Sequence, residues 1–120
     1  MAKTIVLGSI LCGIAVITGA FGAHGLEALL KEYGRVDTYE TAVLYHFIHA
    51  IALIIVGIIG FHKENKWLKW AVWSFGLGIL LFSGSLYALC LTNIGILGAI
   101  TPFGGVLFIM GWGFTALGSK

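Results

Sequence analysis

At 120 residues the chain has room for one compact unit, 59% of it hydrophobic and only 10% charged. A soluble domain carries about 25% charged residues, so this composition cannot cover a water-facing surface. The formal net charge of +2, with no basic run, gives no footing for nucleic acid as a partner.

A helix that crosses a bilayer needs about 20 mostly apolar residues, and four stretches qualify. The first covers about residues 4–23. It is longer than the roughly 7–15 apolar residues of a signal peptide, and three more such stretches follow, so it reads as a retained span. Cys12 lies at its middle and Cys90 near the far end of the third stretch, too far apart for a disulfide. Two free thiols are expected.

Residues 25–41 form the only long polar segment. Leu26, Leu29, Leu30 and Tyr33 alternate with Glu27, Lys31 and Glu32 at helical spacing, which predicts a short amphipathic helix in the membrane interface, ended by Gly34. Asp37 then has the chemistry of an N-cap, with Glu40 three residues on as in a capping box. That starts the next helix at Thr38, ahead of a second apolar span at about 42–61, so no carboxylate is expected inside a span. A short basic connection over residues 62–69 leads to a third span at about 70–91. An uncharged turn over residues 92–96 leads to a fourth at about 97–117. Short connections predict antiparallel neighbours. The fold class is therefore all-α: one transmembrane domain over residues 1–120, a four-helix bundle with a short interfacial helix between spans one and two.

Lys3, Lys63, Lys66, Lys69 and Lys120 fall on one side of the membrane and Lys31 and Arg35 on the other. The excess of cations predicts both termini in the cytoplasm of a multi-pass cell-membrane protein. Trp67, Trp70, Trp73 and Trp112 fit an aromatic belt on that face. Many glycines lie within the spans, where small residues let helix backbones approach closely.

With that topology the polar side chains gather at one depth. His24 ends the first span, and His46 and His49 lie one to two turns below the outer surface. Being three apart, these two point roughly the same way. Ser83, Ser85 and Tyr87 occupy the outer half of the third span, and Thr101 and Pro102 the start of the fourth, where the proline would free a carbonyl. Polar groups inside a membrane are costly and point by default to function, but three readings compete. These residues hydrogen-bond the helices together; they line a pocket for a small or lipid-like ligand; or the histidines hold haem or a metal. An isolated i, i+3 histidine pair with no HExxH or CxxC leaves metal and cofactor undetermined. No catalytic residue is assigned, since Phe82-Ser83-Gly84-Ser85-Leu86 is not a nucleophile elbow.

Four blocks carry a family resemblance: Phe21-Gly22-Ala23-His24-Gly25-Leu26, Tyr45-His46-Phe47-Ile48-His49-Ala50, Phe82-Ser83-Gly84-Ser85-Leu86-Tyr87 and Ile100-Thr101-Pro102-Phe103-Gly104-Gly105. With them the chain resembles domain-of-unknown-function family 423, small four-pass and mainly bacterial membrane proteins. The resemblance implies the fold and the membrane, and no activity. Members often carry another residue, commonly Gln, at the position of His46, which makes His24 and His49 the better candidate ligands.

The expectation is a membrane protein of unassigned activity, a non-enzymatic binding or accessory protein. Its outer-leaflet pocket would be built from His24, His46, His49, Ser83, Ser85, Tyr87 and Thr101. The alternatives are a haem- or metal-binding protein, and a membrane enzyme or small-solute transporter. The lipid bilayer is the first partner and a lipid or small molecule the second, and a bundle this small and rich in glycine suits a homo-oligomer.

Overall fold

Apolar runs without internal charge leave the backbone no polar partner but itself, and in lipid that dictates helices. The computed structural model describes residues 1–120 and bears this out with six α-helices and no strand. They are α1 (Ala2–Ala23), α2 (Glu27–Tyr33), α3 (Val36–His62), α4 (Lys66–Gly78), α5 (Gly84–Thr92) and α6 (Thr101–Gly118). A π-helical turn, Ile79–Ser83, joins α4 and α5, so that Lys66–Thr92 is one span. A 3-10 turn, Gly95–Ala99, leads into α6. Four segments are long and apolar enough to cross a membrane: Ala2–Ala23, Val36–His62, Lys66–Thr92 and Gly95–Gly118. The bundle's long axis extends 48 Å, enough to cross a bilayer with its headgroups.

Spans two and three form the centre. In each, 44% of the most apolar window is buried, against 11% in α1 and 17% in the last span. α1 lies along α3, and α6 lies along the third span. Glycine sets both approaches. On α6, Gly104, Gly111 and Gly118 recur every seventh residue, and so do Leu68, Phe75 and Phe82 on the facing span. A Cβ on Gly118 would stand 2.6 Å from Leu68, one on Gly111 2.6 Å from Phe75, and one on Gly104 2.3 Å from the Phe82 backbone nitrogen. Phe108 returns the arrangement by filling the space over Gly78, at 2.6 Å. In the other pair, Gly57 and Gly60 admit Ile5 and Met1, Gly8 lies on the Ala50 carbonyl, and Gly22 admits the Tyr39 ring.

The interfacial helix forms as the pattern requires. Leu30 is buried while Glu27, Lys31 and Glu32 are exposed. Gly34 ends the helix at φ 65°, the left-handed conformation in which glycine carries no steric cost. The Lys31 ammonium, hydrogen-bonded to Glu27 at 2.8 Å, holds that carboxyl below the ordinary carboxylate range. What this exposed pair adds to α2 is therefore present at neutral pH and lost as the pH falls through the lowered value.

Three expectations need correction. The second spanning helix begins at Val36, with Arg35 at its N-cap position and no side-chain cap. Asp37 thus lies in the first turn, where its charge suits the helix dipole without capping. Glu40, in the second turn of this helix, closes no capping box. Pro102 frees no carbonyl inside α6, because that helix starts at Thr101 and its first turn has no use for the missing N–H.

The seam between the last two spans makes a prediction. Gly111→Ala should lower stability by about 1–3 kcal/mol, and Gly104→Ala by at least as much, since its obstacle is backbone. Gly113→Ala, whose added carbon would meet nothing within 4 Å, should be neutral. Denaturant unfolding of the three variants in detergent checks the order.

Candidate functional site

The histidines of α3 diverge. Three residues turn a helix by about 300°, leaving neighbours some 60° apart, and in a crowded bundle that suffices to select different partners. His46 faces Tyr87 on α5, with its Nδ1 2.8 Å from the phenol oxygen. His49 faces α6, where its ring stacks on Phe108 at 3.6 Å and 4° and its Nε2 accepts the Trp112 indole N–H at 3.1 Å. The expectation that both point one way is not met.

The early start of α3 also deepens them. His46 and His49 lie ten and thirteen residues beyond Val36, about 15 and 20 Å along the helix. His49 is at the midpoint of α3.

The bonds of His49 define its chemical form. An indole N–H can only donate, so Nε2 must be an unprotonated acceptor. Nδ1, 2.7 Å from the Tyr45 carbonyl, then carries the hydrogen. His49 is a neutral imidazole in this arrangement. Trp112, expected in the interfacial belt, is instead tied to it.

The remaining predicted residues bond to each other or to neighbouring backbone. Ser83, fully buried in the π turn, donates to the Ala42 carbonyl at 2.8 Å. Ser85 meets Thr101 at 2.6 Å, joining the third span to the fourth. The Tyr87 hydroxyl lies between His46 and Thr18, 3.1 Å from the latter. Side chains lean toward the N-terminus of their own helix, so Tyr87 and His46, on antiparallel helices, lean toward each other. Tyr39 completes the group by donating to the Thr18 carbonyl. Among buried side-chain nitrogen and oxygen atoms, only His46 Nε2 has no hydrogen-bond partner.

His24 stands apart, exposed at the C-cap of α1. The seven residues therefore do not enclose one pocket. Five of them clamp helices together, one is on the surface, and His49 alone lines an open groove. No group of three or more His, Cys, Asp and Glu side chains comes together anywhere in the fold. Both cysteines are free.

The groove runs between α3 and α6 and holds about 660 Å³, within the range of small-molecule sites. Its wall is aromatic. Tyr45 stacks on Phe82 at 4.6 Å, Phe82 packs on Phe108 at 5.3 Å, and His49 and Trp112 continue the row. Gly105 leaves its edge open. The Tyr45 hydroxyl makes no hydrogen bond within the chain, and its ring, packed on Phe82, is partly exposed. The sequence does not mark Thr18, Tyr45 or Trp112 as site residues, because a lone hydroxyl or indole in an apolar run has no periodic signal; only Tyr45 stands beside the histidine pair.

Comparison with known proteins agrees with the fold. The family described as "Protein of unknown function (DUF423)" matches residues 18–105. A UPF0382 membrane protein of Staphylococcus haemolyticus is 51% identical over 112 residues, 93% of this chain and 90% of that protein. The UPF0382 membrane protein YwdK of Bacillus subtilis is 46% identical over 113 residues, 93% of this chain and 91% of its relative. No solved structure matches.

The Tyr87 clamp can be weighed directly. Polar contacts between membrane helices average about 0.6 kcal/mol and reach about 1.7. A double-mutant cycle on His46→Leu and Tyr87→Phe should return a coupling inside that span. For His49, nitrogen-15 imidazole shifts at neutral pH should show Nδ1 protonated and Nε2 bare.

Proposed function

Since the chain belongs to the DUF423 family of membrane proteins, we propose that it is a non-enzymatic binding protein. Its ligand is a lipid-like molecule held in the groove between α3 and α6. The observation that carries this reading is the Tyr45 hydroxyl, an uncommitted donor on an otherwise rigid aromatic wall that opens toward lipid. An apolar body packs on the rings, and a hydrogen-bond-accepting head takes the Tyr45 proton. In hydrocarbon no water competes for that bond, so it selects among lipids that pack equally well. His49 and Trp112 satisfy one another and fix the wall rather than the ligand.

Two substitutions leave the fold alone and test the groove. Tyr45→Phe keeps the ring and removes only the hydroxyl. Gly105→Leu fills the opening, since a Cβ there meets nothing nearer than the Phe82 ring at 3.8 Å. Native mass spectrometry of protein extracted from its own membrane should find a retained lipid on the unmodified chain. Both variants should lose it at unchanged unfolding temperature. Equal retention by all three would overturn the reading.

We further propose the cell membrane as its location, with both termini cytoplasmic; the distribution of lysines supports this. With Cys12 and Cys90 replaced by Ala, Lys66→Cys should resist a membrane-impermeant thiol reagent in intact cells and react in inverted vesicles.

A further inference from the structure

A second groove lies beyond Leu44, which borders both. It is formed by the end of α1, the underside of α2 and the start of α3, and holds about 400 Å³. Its lining is apolar, with Gly19, Leu30, Val36 and Val43 among the contributors, apart from Tyr39 and a single charged residue, Glu40. The Tyr39 hydroxyl is committed to Thr18. The Glu40 carboxylate forms no ion pair and no hydrogen bond within the chain.

The nearest cations in sequence are engaged elsewhere. Lys31 pairs with Glu27, and the Arg35 guanidinium donates through Nε to Asn93 at 3.2 Å. The other ion pair, Lys69–Glu64, ties α4 to the connection that precedes it, at the far end of the bundle. Glu40 is the fifth residue of α3, about 6 Å along it. Glu40 is exposed beside this apolar groove, and a counter-charge seated there would meet its carboxylate across low-polarity surface, where attraction is stronger than in open solvent. This chain supplies none.

We propose that this groove binds an amphiphilic organic cation, an alkyl chain bearing an ammonium head, with the chain along the apolar wall and the head on Glu40. Charge complementarity selects this occupant over a neutral or anionic lipid, which would leave the carboxylate uncompensated. The site is separate from the groove between α3 and α6 and does not depend on its ligand.

The test is equilibrium dialysis of radiolabelled dodecyltrimethylammonium against the full chain in maltoside micelles, with dodecyl sulfate as the anionic probe. Saturable binding of the ammonium probe is expected, with at least tenfold weaker binding of the sulfate. Glu40→Gln should weaken the ammonium probe at least tenfold at unchanged unfolding temperature. Asp37→Asn, on an exposed residue outside the groove, should not. Gly19→Leu, whose first added carbon meets only a Val43 methyl at 3.4 Å, should block the chain's seat and abolish binding of the probe. No saturable binding, equal binding of both probes, or full binding by Glu40→Gln would each overturn the proposal.

Discussion

Two large side chains, Leu68 and Phe75, and the backbone at Phe82 rest on three glycines and hold the last two spans together. In water a hydrophobic face would drive such a pairing, but lipid is as apolar as leucine and supplies no such force. What remains is close contact, and dispersion rewards it only when surfaces touch. The seven-residue repeat of Leu68, Phe75 and Phe82 against Gly118, Gly111 and Gly104 provides that contact along most of the helix length. A seven-residue spacing on both partners is the repeat of left-handed antiparallel packing.

The second binding force is polar, and unlike the glycine contacts it crosses between the two halves of the chain as well as acting within them. Every close glycine approach lies within one half of the chain: Gly8, Gly22, Gly57 and Gly60 between α1 and α3, and Gly78, Gly104, Gly111 and Gly118 between the third span and α6. The hydrogen bonds of His46 and Thr18 to Tyr87, of Ser83 to Ala42 and of Trp112 to His49 all cross from one half to the other. Glycine contacts build each pair, and the pairs join through these polar bonds and through a shared apolar core that includes Leu53 and Val56 with Phe75 and Ile79. That division is why so much of the polar inventory is spent inside the protein, and why the open grooves are mostly apolar.

Much of the fold was legible because hydrocarbon leaves a chain few options. Four apolar runs, an amphipathic stretch stopped by Gly34 and short connections lead to one architecture. The boundaries were less legible. Val36 starts its helix without a side-chain cap, so the Asp37–Glu40 pattern pointed to the wrong residue, two positions late. The polar residues themselves were found from the sequence, but their partners were not. A 60° difference in heading between His46 and His49 decides which neighbour each meets, and only the packed bundle fixes it. The glycine heptad was visible in the sequence as a spacing of seven, though a search for glycines four apart passes over it.

The separation of contacts into two halves also orders the protein's birth. A chain emerges and inserts from its N-terminus, so α1 and α3 can close on one another over Gly8 and Gly57 before Phe75 has been made. At that stage Thr18, His46 and the Ala42 carbonyl face lipid on an unfinished surface, short of the hydroxyls that Ser83 and Tyr87 will bring. The first hairpin is thus complete in shape but incomplete in hydrogen bonding. Its unsatisfied side marks where the second hairpin must dock.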